Sequence, residues 1–302
     1  MPKFSVSKNQ VIAAPRADVF QEVRDFQKWS VWSPWIVAEP DCPLEFYDEG
    51  KSYRWDGQII GSGEMTITGE QENEWITYDL RFLKPWKSEA KVKMTFTDQD
   101  GGTKVTWSLD SSLPFFMFFL KKMMVGLIGM DYARGLTRLK AVIEDGSVPA
   151  KLEVVGQTEV GGFSYLARHQ TCSIDGIGES MEEEFEALKA LGFEPTGPAF
   201  AIYHKWDFGK QEAAYEVGIP VAEVPLSVPD GFVTGEMPKL SVYGVRHDGP
   251  YDFVGDAWST GVMHGRSKQF RQSRKVHPFE IYEQLPEEGK HPVTLVCFPI
   301  KG

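Results

Sequence analysis

Hydrophobic and polar residues alternate through much of the first half of the chain, which predicts an antiparallel sheet. Strand character is strongest in four segments, residues 59–68, 75–82, 90–97 and 103–109. In the last segment Val105, Trp107 and Leu109 alternate with polar neighbours, as they would in a half-buried strand. Short polar turns separate the segments, so we expect a meander of neighbouring strands.

Helical spacing flanks this sheet on both sides. A strand over residues 3–12 precedes a helix in which Pro15 suits the first turn and apolar residues recur as far as Phe26. Residues 114–145 predict one long helix, whose second half keeps an apolar stripe. The members of that stripe are Tyr132, Leu136, Leu139 and Ile143.

The start of this long helix is its most apolar part. Residues 115–120 are all phenylalanine, methionine or leucine, but Lys121 and Lys122 then interrupt the run. The run is shorter than the ~20 apolar residues that a membrane span needs. We therefore expect a buried helix with an apolar lining face rather than a membrane anchor, with an amphipathic helix on a membrane surface as the minor alternative.

The second half of the chain contains an internal repeat. Phe200-Ala201-Ile202-Tyr203 recurs 79 residues later as Phe279-Glu280-Ile281-Tyr282, with glutamate in place of alanine. Each copy follows a matching strand, at residues 164–169 and 241–247. Self-similarity at a fixed spacing predicts a duplicated unit, each half of which runs strand, loop, helix, strand.

The length of the chain predicts its number of domains, and its net charge limits the classes of partner that it can bind. A chain of 302 residues predicts about two domains, and residues 146–150 suit a linker between them. The net charge of −11 argues against nucleic acid as a direct partner, because phosphate recognition needs a clustered positive surface. Three cysteines without metal or CxxC spacing indicate reduced thiols, and no apolar leader is visible, so we expect a cytoplasmic protein.

No motif for a cofactor or a metal is present in the sequence. GxSxG, P-loop and dinucleotide patterns are missing, and the histidines show neither HxH nor HExxH spacing. His169 and His247 follow arginines at matching places in the repeat, which indicates a structural role repeated by duplication. We expect no cofactor and no metal.

The first half resembles the SRPBCC superfamily, which includes START-like proteins and polyketide cyclases/dehydrases. The resemblance rests on Ala-Pro-Arg-Ala-Asp-Val-Phe and Trp-Ser-Pro-Trp within residues 11–35, and on residues 129–144. It implies a helix-grip domain over residues 1–147 that encloses an apolar ligand, but no particular activity. Candidate cavity residues are Trp55, Tyr78, Trp86 and Trp107, with Arg54 and Arg81 as polar anchors.

Residues 152–302 resemble the GyrI-like effector-binding family, which is related to the ligand domains of multidrug-responsive transcription activators. The resemblance rests on residues 215–221 and 247–251, the helix around Trp258, and the strand at 279–282. It implies an α+β protein overall: a START-like domain followed by a duplicated β-α-β-β, SOUL-type domain with an antiparallel sheet.

Glu280 is the candidate that carries the chemistry. On a strand, Glu280 and Tyr282 project from the same face. A carboxylate among aromatic rings suits a lipophilic cation, because each ring adds ~0.5–2 kcal/mol of cation–π energy. A lone glutamate is more often exposed, whereas the family resemblance implies a binding glutamate here. The twin residue Ala201 then implies a pseudo-symmetric cleft with one charged and one neutral wall.

The full set of candidate ligand-binding residues is Glu280, Tyr282, Tyr203, Trp206, Tyr215, Tyr251 and Trp258. Most aromatic residues at such spacing belong to a core. Tyr203 and Tyr282 are favoured because they occupy matching positions in the repeat, while core packing and pocket lining stay equally open for Trp258.

We interpret the protein as binding hydrophobic, cationic small molecules in sensing or sequestration, with neither nucleic acid nor a membrane as a direct partner. The resemblance implies two alternatives that stay open. One is a hydrolase of electrophilic small molecules, with Glu280 as the catalytic general acid or base. The other is a module of gyrase-inhibitor type that binds a protein partner.

Overall fold

The structure, a computed structural model, describes residues 3–225 and 227–301, without the side chains of residues 115–117. Contacts within the chain divide it into two compact units, Met1–Pro149 and Ala150–Gly302. The division falls inside residues 146–150, the segment whose composition suits a linker. Each unit has one antiparallel sheet and a few helices, so the chain is an α+β protein.

The first unit is built on one sheet. Its strands are β1 (Lys3–Ile12), β2 (Leu44–Tyr47), β3 (Ser52–Asp56), β4 (Ser62–Gln71), β5 (Trp75–Lys84), β6 (Ser88–Gln99) and β7 (Gly102–Ser112). Within the described residues they lie in the order β1-β7-β6-β5-β4-β3-β2. The predicted strands correspond to β1 and to β4 through β7. The strands β2 and β3 were not predicted; both are short, and they are joined by a turn in which Asp48 and Glu49 have positive φ.

Three helices pack on this sheet: α1 (Arg16–Arg24), α2 (Trp29–Trp32) and α3 (Lys121–Asp145). The long helix α3 lies along β1. It ends at Gly146, whose φ of 80° lies in the left-handed region that favours glycine. The prediction of one continuous helix from Pro114 was wrong at its start, because residues 115–120 form a separate 3-10 segment.

The apolar start of this region is not the buried helix that the sequence predicts. Phe118 is 60% exposed, and Phe119 and Met123 are exposed as well. Met124 and Ile128 take the positions that pack against the core, so helical periodicity turns Met123 towards solvent. Across residues 3–225 and 227–301, no helix combines the length and apolar character needed to cross a membrane.

Tryptophan rings occupy the centre of the first unit's core. Trp107 of β7 is 1% exposed, and its ring stacks on Tyr132 of α3 with centroids 4.1 Å apart. Trp29 and Trp32 of α2 meet the same indole edge-on, at 5.7 and 5.8 Å. A Cβ at Gly135 would lie 2.8 Å from Trp107 Cζ3, so glycine at this position lets α3 approach the sheet.

The second unit has a larger sheet. Its strands are β8 (Lys151–Val160), β9 (Phe163–Ser173), β10 (Phe200–Asp207), β11 (Glu212–Val221), β12 (Phe232–Met237), β13 (Leu240–Asp248), β14 (Phe279–Gln284) and β15 (Val293–Pro299). In the described part of the chain they lie in the order β12-β9-β11-β10-β14-β15-β13-β8. The helices are α4 (Ile177–Lys189) and α5 (Val254–Arg266).

The same order of elements occurs twice in this unit. The first half runs β8-β9-α4-β10-β11 and the second runs β12-β13-α5-β14-β15. Each half therefore begins with one strand more than the predicted β-α-β-β. The extra strands β8 and β12 form the two edges of the sheet and pair with β13 and β9 of the other half. Edge strands are partly solvated, so they lack the strong apolar alternation that would reveal them in the sequence.

The two copies of the sequence repeat pair with each other in the middle of the sheet. Strands β10 and β14 are antiparallel and place Ala201 directly opposite Glu280. The backbone N–H groups of Tyr203 and Tyr282 donate to the carbonyls of Pro278 and Ala199, each of which directly precedes the opposite copy. The predicted neutral wall at Ala201, facing a charged wall, was wrong, because cross-strand partners project from the same face.

Candidate ligand-binding site

Glu280 projects from β14 on the face of the sheet that carries α4 and α5. The residue is 3% exposed. Its neighbours Phe279 and Ile281 project from the opposite face, where they pack with Leu295 and Cys297. α4 contacts β9 and β11, and α5 contacts β13 and β15, so the central strands β10 and β14 lie between the two helices.

Three aromatic side chains donate hydrogen bonds to the Glu280 carboxylate. Trp258 Nε1 of α5 donates to Oε1 at 2.5 Å. The Tyr203 and Tyr282 hydroxyls donate to Oε2 at 2.9 and 2.7 Å. The donors come from β10, β14 and α5, so both halves of the repeat contribute to the arrangement. An ionised carboxylate has about four lone-pair sites, which leaves room for one more partner.

Burial dominates the electrostatics of this group. Loss of hydration raises the pKa of Glu280 above its ordinary 4.5, and the three hydrogen bonds oppose that shift without cancelling it. Burial and the nearby Glu280 charge raise the pKa of Tyr203 and of Tyr282 well above 10, so both hydroxyls remain donors at neutral pH. No cationic side chain in the described part of the chain contributes to the pKa of Glu280.

Further aromatic rings surround the carboxylate and its donors. Trp206 stacks on Tyr203 with centroids 5.5 Å apart and an interplanar angle of 14°. Trp258 meets the same tyrosine edge-on at 5.0 Å. The exposed Tyr251 lies 6.1 Å from the Tyr282 ring, and burial together with Glu280 raises the pKa of Tyr251 to about 12. Tyr251 therefore lies at the solvent edge of this cluster.

Tyr215 lies farther from the carboxylate than the other predicted residues. Its ring centroid is 6.4 Å from that of Tyr203, and its hydroxyl donates to Ser180 Oγ at 2.6 Å. The structure thus places Glu280, Tyr203, Tyr282 and Trp258 in direct contact. Trp206, Tyr251 and Tyr215 each lie beside one of these tyrosines.

Helix α4 adds two side chains that the sequence analysis did not assign to the site. Met181 Sδ lies 3.7 Å from the Tyr203 hydroxyl. Phe185 meets Tyr282 edge-on with centroids 5.5 Å apart. Both belong to the apolar stripe of α4. Such a stripe in a sequence predicts that the helix packs on the sheet, but it does not predict which strand the helix covers.

The first unit contains a separate apolar cavity of about 60 Å³. Its lining is mainly aromatic and includes Trp29, Tyr53, Trp55, Trp107 and Tyr132, with Ser33 as a polar member. A single water needs at least ~10–15 Å³, so the cavity is large enough to hold a few waters.

Only some of the residues predicted to line a cavity in this unit do so. Trp55 and Trp107 line the cavity, whereas Tyr78 is buried in the core beside it. Trp86 is 60% exposed, because it follows Pro85 in the turn between β5 and β6. The prediction of polar anchors was also wrong. Arg54 and Arg81 form exposed ion pairs with Glu64, at 3.2 and 2.7 Å.

The structure also joins three residues that the sequence analysis did not connect. One ligand-type atom from each of His169, His204 and Glu216 lies within 4.8 Å of the other two. His247, the counterpart of His169 in the repeat, is buried, and its Nε2 lies 3.0 Å from the Pro250 carbonyl. The two histidines therefore lie in different environments, because His169 is exposed.

A comparison with protein families gives a match within the first unit. The sequence profile of the family described as "Polyketide cyclase / dehydrase and lipid transport" matches residues 3–144, from β1 into the last turn of α3. No curated protein matches the chain.

Several solved structures are similar to parts of the chain. Protein MLL2253 from Mesorhizobium loti is 12% identical, covers 48% of this chain and 100% of its own, and has a TM-score of 0.38. Protein CV1439 from Chromobacterium violaceum is 17% identical over 46% of this chain and 96% of its own, with a TM-score of 0.37. A complex of EcmrR with DNA is 14% identical over 60% of this chain and 68% of its own, with a TM-score of 0.42.

Proposed function

We propose that the protein binds small hydrophobic cations at Glu280 and acts in sensing or sequestration. The observation that carries the proposal is a buried carboxylate held by Tyr203, Tyr282 and Trp258, with no cationic side chain of the described residues contributing to its pKa. A buried charge that lacks a counter-charge is costly to a protein. A cationic ligand would supply the missing charge, and the surrounding ring faces would bind its apolar groups.

The organisation of the second unit supports a GyrI-like domain as the setting of this site. Its elements occur twice in the same order, and the central pair of strands carries the glutamate in one copy and alanine in the other. For the first unit, the family match and the long helix along β1 support a helix-grip domain whose family is described by cyclase, dehydrase and lipid-transport activities.

A hydrolase is the second candidate, and the raised pKa of Glu280 favours it. A carboxyl group whose pKa lies closer to neutrality exchanges protons more effectively as a general acid or base. The Tyr203 and Tyr282 hydroxyls would hold such a group in one orientation. Both candidates use the same carboxylate, so they differ in whether the bound molecule is turned over.

Charge selectivity tests the binding proposal. The full-length protein is titrated calorimetrically with tetraphenylphosphonium and, separately, with neutral triphenylphosphine oxide. We expect one equivalent of the cation to bind at least about 10-fold more tightly than the neutral molecule, a difference of about 1.4 kcal/mol. Equal affinities, or no saturable binding of the cation, would contradict the proposal.

Turnover separates the two candidates. The same protein is incubated with a panel of p-nitrophenyl esters and small epoxides. The amount of product is measured with substrate in large excess, so that multiple turnovers of each enzyme molecule can be detected. Sensing or sequestration predicts no catalytic turnover above the rate of a Glu280→Gln variant. Multiple turnovers that disappear in that variant would establish the hydrolase instead.

A further inference from the structure

We propose a second site in this unit, a binding site for a divalent transition metal formed by His169, His204 and Glu216. Zn²⁺ is the ion that fits it best. The site lies on the opposite face of the sheet from Glu280 and does not depend on the function proposed for that residue.

Three neighbouring strands bring these ligands together. Glu216 of β11 is the direct cross-strand partner of His169 of β9. On its other side β11 pairs with β10, which carries His204 at an irregularity between Tyr203 and Lys205. Alternation along β11 directs Tyr215 towards α4, and therefore Glu216 away from both helices.

Two polar atoms of this cluster, His204 Nε2 and Glu216 Oε1, are buried without a hydrogen-bond partner among the described residues. Glu216 is only 9% exposed. Buried polar atoms without partners are rare in folded proteins, and a bound ion is one of the groups that can satisfy them.

The distances lie close to those of a zinc site. His204 Nε2 and Glu216 Oε2 are 3.6 Å apart. Zn–N and Zn–O bonds of about 2.1 Å in a tetrahedron place two ligand atoms roughly 3.4 Å apart. The remaining separations, within 4.8 Å, require a small inward movement. His169 is exposed and can supply that movement by rotating its side chain.

The chemistry of the set favours Zn²⁺. Two imidazoles and one carboxylate form a known three-ligand set for zinc that leaves a fourth position for water or substrate. Imidazole nitrogens and a carboxylate oxygen are ligand types that Zn²⁺ commonly takes. The exposed His169 leaves a path from solvent by which the ion can enter.

Two further side chains surround the site. His277 lies against His204 with ring centroids 5.2 Å apart, so it can approach as a fourth ligand or restrict the His204 ring. Tyr165 interacts with Glu216. A phenol beside a ligating carboxylate helps to orient it.

Zinc titration of the full-length protein tests the site. Protein stripped with a chelator and then dialysed is titrated with Zn²⁺ by calorimetry. We expect one equivalent to bind with a Kd below about 10 µM, and His169→Ala and His204→Ala to weaken binding at least about 10-fold each. Because His169 is exposed, His169→Ala is the variant less able to disturb folding. Circular dichroism checks that both variants are folded.

The matched control is His291→Ala, which removes an exposed histidine from the loop before β15. It should bind Zn²⁺ as the wild-type protein does. Binding weaker than about 10 µM in the wild-type protein would overturn the site, as would equal binding by the wild-type, His169→Ala and His204→Ala proteins. Replacing Glu280 with Gln should leave Zn²⁺ binding unchanged, so failure of one site is distinguishable from failure of the other.

Discussion

The Glu280→Gln variant is expected to bind tetraphenylphosphonium at least about 100-fold more weakly than the wild-type protein, while remaining at least as stable. Glutamine keeps the size of the side chain and removes its charge. Two unit charges 4 Å apart attract by about 4 kcal/mol at an effective dielectric constant of 20. Desolvation of the ligand and of Glu280 consumes part of that energy, and about 100-fold corresponds to the remainder.

The same substitution should raise the thermal stability of the protein, although it lowers the affinity for the cation. The pKa of Glu280 is raised in the folded protein, so folding favours the protonated carboxyl group. Its stabilising contribution is fully present below the ordinary value of 4.5 and is lost as the pH rises through the folded-state pKa. Glutamine does not titrate. The thermal midpoint of Glu280→Gln should therefore exceed that of the wild type at pH 8, by roughly 2 °C or more, and approach it at pH 4.5.

Ligand affinity should change with pH in the direction opposite to stability. As the pH falls through the raised pKa, Glu280 takes up a proton and loses its attraction for a cation. Tetraphenylphosphonium should bind the wild-type protein more weakly at pH 5 than at pH 8, whereas the variant should show no such trend. Calorimetric titration at both pH values, with thermal unfolding in the same buffers, measures the two effects together.

Glu283→Gln is the matched control for this experiment. Glu283 lies on the same strand but is exposed, and it pairs with Arg246 at 2.7 Å on the surface. Its substitution should change cation affinity by less than about 2-fold, because exposed ion pairs contribute little. If Glu280→Gln retains wild-type affinity, or if both variants lose it equally, Glu280 is not the binding carboxylate.

The repeat in the second unit shows how much of the candidate site can be predicted from the sequence. Comparison of the two Phe-x-Ile-Tyr segments singled out Glu280, Tyr203 and Tyr282, and the structure brings all three into contact. That comparison could not predict the pairing of β10 with β14, because a repeat in the sequence does not indicate which strands are neighbours in the sheet. For the same reason Ala201 was placed on an opposite wall, when it lies beside Glu280 on one face.

The histidine cluster shows a different limit. Motif searches rely on spacing along the chain, and His169, His204 and Glu216 lie on three different strands. Their proximity depends on the register between β9, β11 and β10, which only the folded chain defines. In the first unit, likewise, the family resemblance gave Trp107 and Trp86 together as candidate cavity residues, and it could not separate the buried Trp107 from the exposed Trp86, which follows a proline in a turn.

These two tryptophans provide the largest stability contrast that we expect. Trp107→Ala should lower the free energy of unfolding of the first unit by about 3–5 kcal/mol, since it removes a buried indole and leaves a cavity. The loss includes the stack on Tyr132 and the edge contacts with Trp29 and Trp32. Trp86→Ala should change that free energy by less than about 0.5 kcal/mol, because its side chain is 60% exposed.

Urea unfolding followed by tryptophan fluorescence measures this contrast. Seven of the nine tryptophans lie before residue 110, so the signal reports mainly on the first unit, and each variant loses one of them. Trp107→Phe keeps an aromatic ring and provides a milder variant if Trp107→Ala does not fold. An equal effect of Trp107→Ala and Trp86→Ala would show that the Trp107–Tyr132 stack does not hold α3 against the sheet. A large difference would show that the buried contacts of the Trp107 ring, with Tyr132 of α3 and with Trp29 and Trp32 of α2, stabilise the first unit.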